Sequence, residues 1–499
     1  MTLAHNVSSD ISSYTPLHRG RFVRDALVKS GLYDATAPPP TAESSVAALN
    51  VTQWRVAPTP FWLSSEDVSF LQALGTNLLS FYRALNSLYI ESVRGTQPAW
   101  VSAYLDQGKP ESLLTYSRMK RFRDHLPGVI RPDIIPTDHG MVITELDSVP
   151  GGIGLTGSLS HAYDELATET GERLHLVGGA NGIVEGFAAM IRDLLGNRTG
   201  CLAIVVSEEA KDYRAEMIWL ADQLRARGLS AYCVNPRDLR FTEEGLWVRG
   251  DGGSELSVSV LYRFFELFDL KNVPKSELIM YSAKKDKTLV TPPFKPALEE
   301  KLAFALLHHP ILTPFWKKEL GDETFDLLTA VMPRTWILDP RPLPPSAIIP
   351  HLTLGGRAIS DWRALANGTQ KERRYVIKPS GFSELAWGSR GVAVGHDLPQ
   401  AEWSSALDTA LASFPTTPYI LQEFHKGRQF ELSYFDGQRD GIVPMAGRAR
   451  LSPYYFVSGG RAELAGILAT VCSPEKKIIH GMKDAIMAPC ALASHAREY

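Results

Sequence analysis

The chain has 499 residues, 44% of them hydrophobic and 21% charged, with a formal net charge of −3. That length supports two to four domains with ample core. The composition is that of a globular protein, and the lack of a basic excess argues against a nucleic-acid binder. The four cysteines, Cys201, Cys233, Cys472 and Cys490, form no C-x-x-C metal pair and read as thiols in a reducing compartment. No run of 18 apolar residues marks a membrane span, and residues 1–13 lack an apolar signal core. A cytoplasmic location is therefore expected.

In chain order, Ala37-Pro38-Pro39-Pro40-Thr41 with Ser44 and Ser45 reads as an extended linker. Ser64 and Asp67 open a helix, Ser64 as cap and Asp67 at the positive end. Phe70, Leu71, Leu74, Leu78, Phe81, Leu85 and Leu88 follow at helical spacing as its core face. Val129-Ile130 and Met141-Val142-Ile143, around the turn-formers Asp138-His139-Gly140, predict a strand pair. Residues 201–206 form a short continuous apolar strand, buried on both faces. A helix over 211–227 closed by Gly228 and a strand over 229–234 complete a βαβ unit, and 258–262 adds a third strand. A helix is expected at about 297–307 and a Pro-rich loop over 340–350. The last third reads as antiparallel sheet, with strands at 374–378, 391–395, 419–424, 429–434 and 441–445.

Four constellations carry chemistry. Arg374-Tyr-Val-Ile-Lys378-Pro379 ends a buried strand in a lysine, which is expensive unless its charge is used. Glu384 and Gly388-Ser389-Arg390-Gly391 follow, a loop whose backbone amides can approach a phosphate. Tyr419-Ile-Leu-Gln422-Glu423-Phe424 is an apolar strand ending in polar residues, a form suited to the edge of a base pocket or to plain core. Arg448 and Arg450 lie at i and i+2 and so share a strand face, and guanidinium groups bind carboxylate or phosphate bidentately. The small-residue run 458–466, with Gly459 and Gly460, follows them. Finally, Glu145 and Asp147 share a face at i and i+2, a pair of hard oxygen ligands suited to Mg²⁺ carried on phosphates or, equally, a solvated edge. Arg263, at the end of the third strand of the βαβ region, either binds a substrate carboxylate or makes a structural salt bridge; Arg131 has the same two readings.

Taken together and in this order, the motifs resemble the circularly permuted ATP-grasp ligases, the group of glutathione synthetase and glutathionylspermidine synthetase. The likeness spans residues 129–472 as scattered short motifs. It implies an α/β (α+β) ATP-grasp fold, circularly permuted, with an inserted parallel α/β substrate domain. The organisation would be a mainly helical region over 1–128, a first part of the ATP-grasp sheet over 129–194, the inserted domain over 195–280, and the nucleotide-binding domain and lid over 281–499. The resemblance assigns Glu145, Asp147 and Glu384 to metal, with Asp147 in place of the usual Asn. It assigns Lys378 and Lys301 to phosphates, with Lys285 and Lys287 as rivals of Lys301. Gly388 and Gly391 fall to the phosphate loop, and Gln422, Glu423 and Phe424 to the adenine hinge. Arg448 and Arg263 fall to substrate carboxylate, Arg450 to the transferring group, and Gly459 and Gly460 to a closing loop. The lid candidates are 458–466 and 381–389. The implied reaction uses ATP and Mg²⁺ to join a small-molecule or peptide carboxylate to an amine through an acyl phosphate, releasing ADP and phosphate. The rivals are a nucleotide-binding protein without ligase activity and a phosphotransferase. No nucleic-acid or membrane partner is implied, and a homodimer is compatible with the sequence.

Overall fold

The computed structural model describes residues 14–34, 53–147, 149–388, 390–476, 478–479 and 483–493. The polar start over 1–13, the linker at 37–45 and Ser389 lie outside them. Helix Ser65–Val93 starts as its sequence dictates. The Ser64 hydroxyl accepts from the Asp67 amide at 3.1 Å, and the Asp67 carboxylate accepts from the Ser64 amide.

An eight-stranded sheet runs in the order Gln53–Val56, Lys483–Leu492, Arg461–Cys472, Gly441–Ser458, Val129–Thr137, Gly140–Asp147; Gln429–Asp436 also pairs with Gly441–Ser458, and Phe61–Leu63 with Lys483–Leu492. Strands some 300 residues apart in sequence thus share one ladder, with Leu451 opposite Ile134. The period of two places successive tyrosines on opposite faces. Tyr455 donates to the Leu71 carbonyl of helix Ser65–Val93, while Tyr454 donates to the Gly151 carbonyl on the other side. Gly75 allows the helix this approach, since a Cβ there would sit 2.6 Å from the Tyr455 ring.

Between the two sequence segments of that sheet lies a six-stranded one. Ala231–Val234, Cys201–Val206, Glu255–Phe264 and Leu289–Thr291 are parallel neighbours, and a hairpin over Arg240–Thr242 and Gly245–Arg249 extends the edge. Cys201–Val206 is buried along its whole length, as its apolar run predicts.

The last third does not form a single sheet. Thr335–Ile337, Tyr419–Glu423, Tyr375–Pro379 and Ala393–Val394 make a separate four-stranded antiparallel sheet. Helix Gln400–Ala412 covers it through the fully buried Trp403. The chain leaves this sheet after the Phe424 amide donates to the Arg374 carbonyl, and it joins the large sheet where the Arg428 amide donates to the Pro136 carbonyl. Residues 425–427 bridge the two. Among the described residues no helix is long and apolar enough to cross a membrane.

Candidate active site

A cavity of about 490 Å³ opens where the large sheet, the four-stranded sheet and the edge of the six-stranded sheet meet. Glu145, Asp147, Lys301, Lys378, Gly388, Gln422, Glu423, Phe424, Arg448 and Arg450 all line it. The sequence-predicted residues of five separate segments therefore converge.

Pleating aims Glu145 and Asp147 from one strand, Arg131 and Asp133 from its neighbour, and Arg450 and Ser452 from the next. Arg131 faces Asp147 across the ladder at 3.0 Å and also reaches Asp133 at 3.3 Å. Asp133 in turn holds Arg450 at 3.1 Å and accepts from the Ser452 hydroxyl at 3.1 Å. The result is a chain of alternating charge across three strands. Burial alone would raise Asp133, but Arg131 and Arg450 overcome it and hold its carboxyl below the usual range. Burial, with Glu145 nearby, leaves Asp147 above that range.

Lys301 sits on the turn between Pro296–Leu298 and the helix Ala303–Leu307, rather than within a continuous helix over 297–307. Its backbone is fixed by Ser380, whose carbonyl accepts from the Lys301 amide at 2.9 Å. The Lys301 ammonium meets Glu145 at 2.7 Å and donates to the Ala386 carbonyl at 3.3 Å. Burial opposes its charge, but Glu145 prevails and raises the ammonium above its ordinary value. Lys285 and Lys287 do not line the cavity.

Lys378 has no acidic partner among the described residues. It donates to Gln422 Oε1 at 2.9 Å and to the Thr144 carbonyl at 3.3 Å. Burial lowers it to about 8, against the pull of Glu145. Gln422 is fixed at its other end, donating to the Thr335 hydroxyl. Arg448 likewise lacks a carboxylate: its Nη2 donates to the carbonyls of Pro474 and Lys476 at 2.8 and 2.9 Å. Among the described residues, the buried Nε atoms of Arg131, Arg448 and Arg450 and the Thr470 hydroxyl have no hydrogen-bond partner, a cost that anionic or polar ligand atoms would offset. Such donors, with the uncompensated Lys378 and Arg448, suit a polyanion.

Other predicted residues lie elsewhere. Arg263 is fully buried, pairs with Glu299, and donates to the Pro292 and Phe265 carbonyls; of its two readings the salt bridge is the one formed, because a guanidinium so far from water needs every donor satisfied. Glu384 is exposed on a short turn and does not reach the cavity, although residues 385–388 of the same loop do. Gly391 spends its amide on the Leu385 carbonyl and packs against Pro379, where an added Cβ would come within 2.9 Å. Gly459 and Gly460 form a tight turn at positive φ, +53° and +74°, beside Asp193 and Arg83. The 458–466 run is this turn and the start of strand Arg461–Cys472, not a loop over the cavity. The Glu423 and Phe424 amides are spent on the Arg334 and Arg374 carbonyls, and His425 and Gly427 of the bridge line the cavity beside them.

Glu145 and Asp147 offer two carboxylates to a cation, and no group of three metal-competent side chains forms among the described residues. Such a pair fits Mg²⁺ delivered on phosphate oxygens rather than a resident ion in a protein cage.

Sequence reasoning did not single out Asp133, Glu216, Glu266, Trp387 or Thr470. For Asp133 a signal existed: Arg131 and Asp133 alternate on the strand preceding the acidic one. Glu216 is buried on helix Arg214–Ala226 and accepts from the Gly152 and Leu155 amides at 2.7 and 2.9 Å, at the start of helix Ile153–Thr170. Burial pushes it up to about 7, with those amides acting the other way. Burial and the neighbouring Glu299 push Glu266 to about 8.

No family model and no curated protein matches the chain. Among solved structures, a glutathione synthetase-like effector from Globodera pallida superposes with a TM-score of 0.56 at 11% identity, over 96% of this chain and 98% of that one. The chain therefore shares the overall fold of that effector. A putative gamma-glutamylcysteine synthetase from Methylobacillus flagellatus KT reaches 0.40 at 11% identity, over 86% of this chain and 89% of that one. The D-cycloserine synthetase DcsG reaches 0.28 at 15% identity, over 58% and 92%.

Proposed function

We propose that the chain is an ATP-dependent carboxylate–amine ligase on a circularly permuted ATP-grasp scaffold, with the six-stranded sheet as an inserted substrate domain. The observation that carries this reading is Lys378: an ammonium with no acidic partner among the described residues, held by two neutral oxygens in a cleft between two sheets. The chemistry that such a site supports is charge neutralisation and positioning. Lys378 and Lys301 hold the phosphates, the residues bridging the two sheets meet the base, Arg448 faces the acid, and Arg450 faces the acid's carboxylate and the phosphoryl group transferred to it. Glu145 and Asp147 would hold Mg²⁺, which would supply charge neutralisation for the phosphoryl transfer. Residues 385–388 wall the cavity beside Lys301 and exclude water, which an acyl phosphate requires. The amine displaces phosphate from the activated acyl carbon, so ADP and phosphate are the co-products.

A second reading, nucleotide binding without turnover, draws on the same site, because both candidate metal carboxylates are already paired with Lys301 and Arg131. One experiment separates the two: ADP release with ATP and Mg²⁺ across pooled carboxylic acids and amines, beside Lys378→Ala, with nucleotide binding measured in parallel. Release that needs both an acid and an amine and is lost in the variant supports the ligase. Nucleotide binding with no turnover in any pool favours the second reading, and a folded protein that binds no nucleotide overturns both.

A further inference from the structure

The wall of the cavity on the large sheet changes character from strand to strand. In register, Arg450 lies opposite Thr470, and Thr470 opposite Met487. The adjacent row sets Ser452 opposite Leu468. Residues paired across a ladder point to the same face. At about 4.8 Å per strand, a ligand lying across the sheet passes from guanidinium to hydroxyl to thioether in about 10 Å. Leu32 and Trp54, from the N-terminal part of the chain, line the same cavity as Leu468 and Met487, and all four are buried. The Thr470 hydroxyl stands at the boundary. Its residue is 0% exposed, it lines the cavity, and its oxygen has no partner among the described residues, whereas the neighbouring Ser452 and Tyr454 hydroxyls are both spent on protein oxygens. A buried hydroxyl left unpaired beside an apolar wall is satisfied when a ligand brings its own polar atom there.

From this gradient we infer that the acid taken by the site is an amphipathic one. Its carboxylate faces Arg450, a polar backbone atom such as an amide meets Thr470, and an apolar side group lies on Leu468 and Met487 beneath Trp54 and Leu32. An N-acylated or peptidyl acid with a branched aliphatic or aromatic side chain has this chemistry; a wholly polar acid leaves the apolar wall wet. The inference rests on the ligase reading for the role of the acid, though not for its binding.

The test is titration calorimetry with N-acetyl-leucine, N-acetylphenylalanine and N-acetylglutamine, three monoanions of similar length, each with and without ATP and Mg²⁺. The two apolar acids are expected to bind at least tenfold tighter than the glutamine derivative. The near-isosteric Thr470→Val is expected to weaken all three about tenfold, and Leu32→Ser to shrink the preference, with thermal melts checking that both variants fold. Equal or reversed preference in the parent protein, or no binding of any of the three, overturns the inference without recourse to a variant. Retained preference for the apolar acids with no nucleotide binding leaves it standing and removes the ligase reading instead.

Discussion

Lys301 and Glu145 meet at 2.7 Å, one from the turn that follows the six-stranded sheet and the other from the acidic strand of the large sheet. The group proposed for phosphate and the group proposed for metal neutralise each other. Under the proposed function, a nucleotide bringing its own cation would exchange this single contact for two, ammonium to phosphate and carboxylate to metal, and the binding of phosphate and of Mg²⁺ would be coupled through one pair.

That coupling has a measurable sign. Glu145→Gln frees Lys301, so nucleotide binding without Mg²⁺ is expected to tighten about tenfold, while the enhancement by Mg²⁺ largely disappears. Lys301→Met is expected to weaken binding by about 10- to 100-fold, the range of a charged hydrogen bond. Nucleotide titrations with and without Mg²⁺ check both, and a Glu145→Gln protein that loses affinity equally in the two conditions would show that the pair does not gate the site.

Arg263 and Glu299 give a stability prediction. Arg263→Leu leaves a carboxylate buried without its cation, and the expected loss is about 3–5 kcal/mol in urea unfolding. The double variant Arg263→Leu with Glu299→Leu is expected to recover most of it, since replacing both partners removes the stranded charge. If the double variant is no more stable than the single one, the salt bridge is not what Arg263 provides.

Lys378, Glu145 and Asp147 stood out as charged side chains ending apolar strands, where burial makes charge conspicuous, and Arg448 and Arg450 as an i, i+2 pair sharing one strand face. The βαβ core was legible from the wholly apolar 201–206. What stayed hidden depends on long-range pairing. Lys483–Leu492 and Gln53–Val56 lie at opposite ends of the chain, and Gln53–Val56 reads as a strand only once Lys483–Leu492 supplies its ladder. The 18-residue strand Gly441–Ser458 contains Pro444 and Pro453, which locally argue against a strand; reading it in pieces made a closing loop out of its hairpin turn. Glu384 lies off the cavity for a related reason: distance along the chain from Lys378 says nothing about which way a short turn faces.

Glu384 supplies a contrast variant for this reason. Glu384→Ala removes an exposed side chain on a turn, and its effect on Mg²⁺-dependent nucleotide affinity is expected to stay within about twofold, the usual range for surface changes. Asp147→Asn removes a carboxylate that lines the cavity and is expected to shift the Mg²⁺ dependence clearly. A large effect of Glu384→Ala would mean that the loop turns inward when ligand binds.

Glu216 predicts how stability varies with pH. Its carboxyl lies at about 7 in the folded chain, against an ordinary 4.5, chiefly because it is buried. Between those values the folded state holds a proton that the unfolded state has released. Stability from this group is therefore fully present below about 4.5, falls as pH rises toward about 7, and is level above that. The span corresponds to about 3 kcal/mol. Glu216→Gln cannot titrate, yet it offers one oxygen where the carboxylate offers two, so one of the Gly152 and Leu155 amides loses its acceptor at about 1–2 kcal/mol. Urea unfolding of parent and variant at pH 5 and pH 8 isolates the group, because every other titration is common to both. The parent's advantage over the variant is expected to be larger at pH 5 and to shrink by about 2–3 kcal/mol at pH 8; an advantage that grows with pH would mean that the carboxylate is stabilised by those amides more than it is penalised by burial.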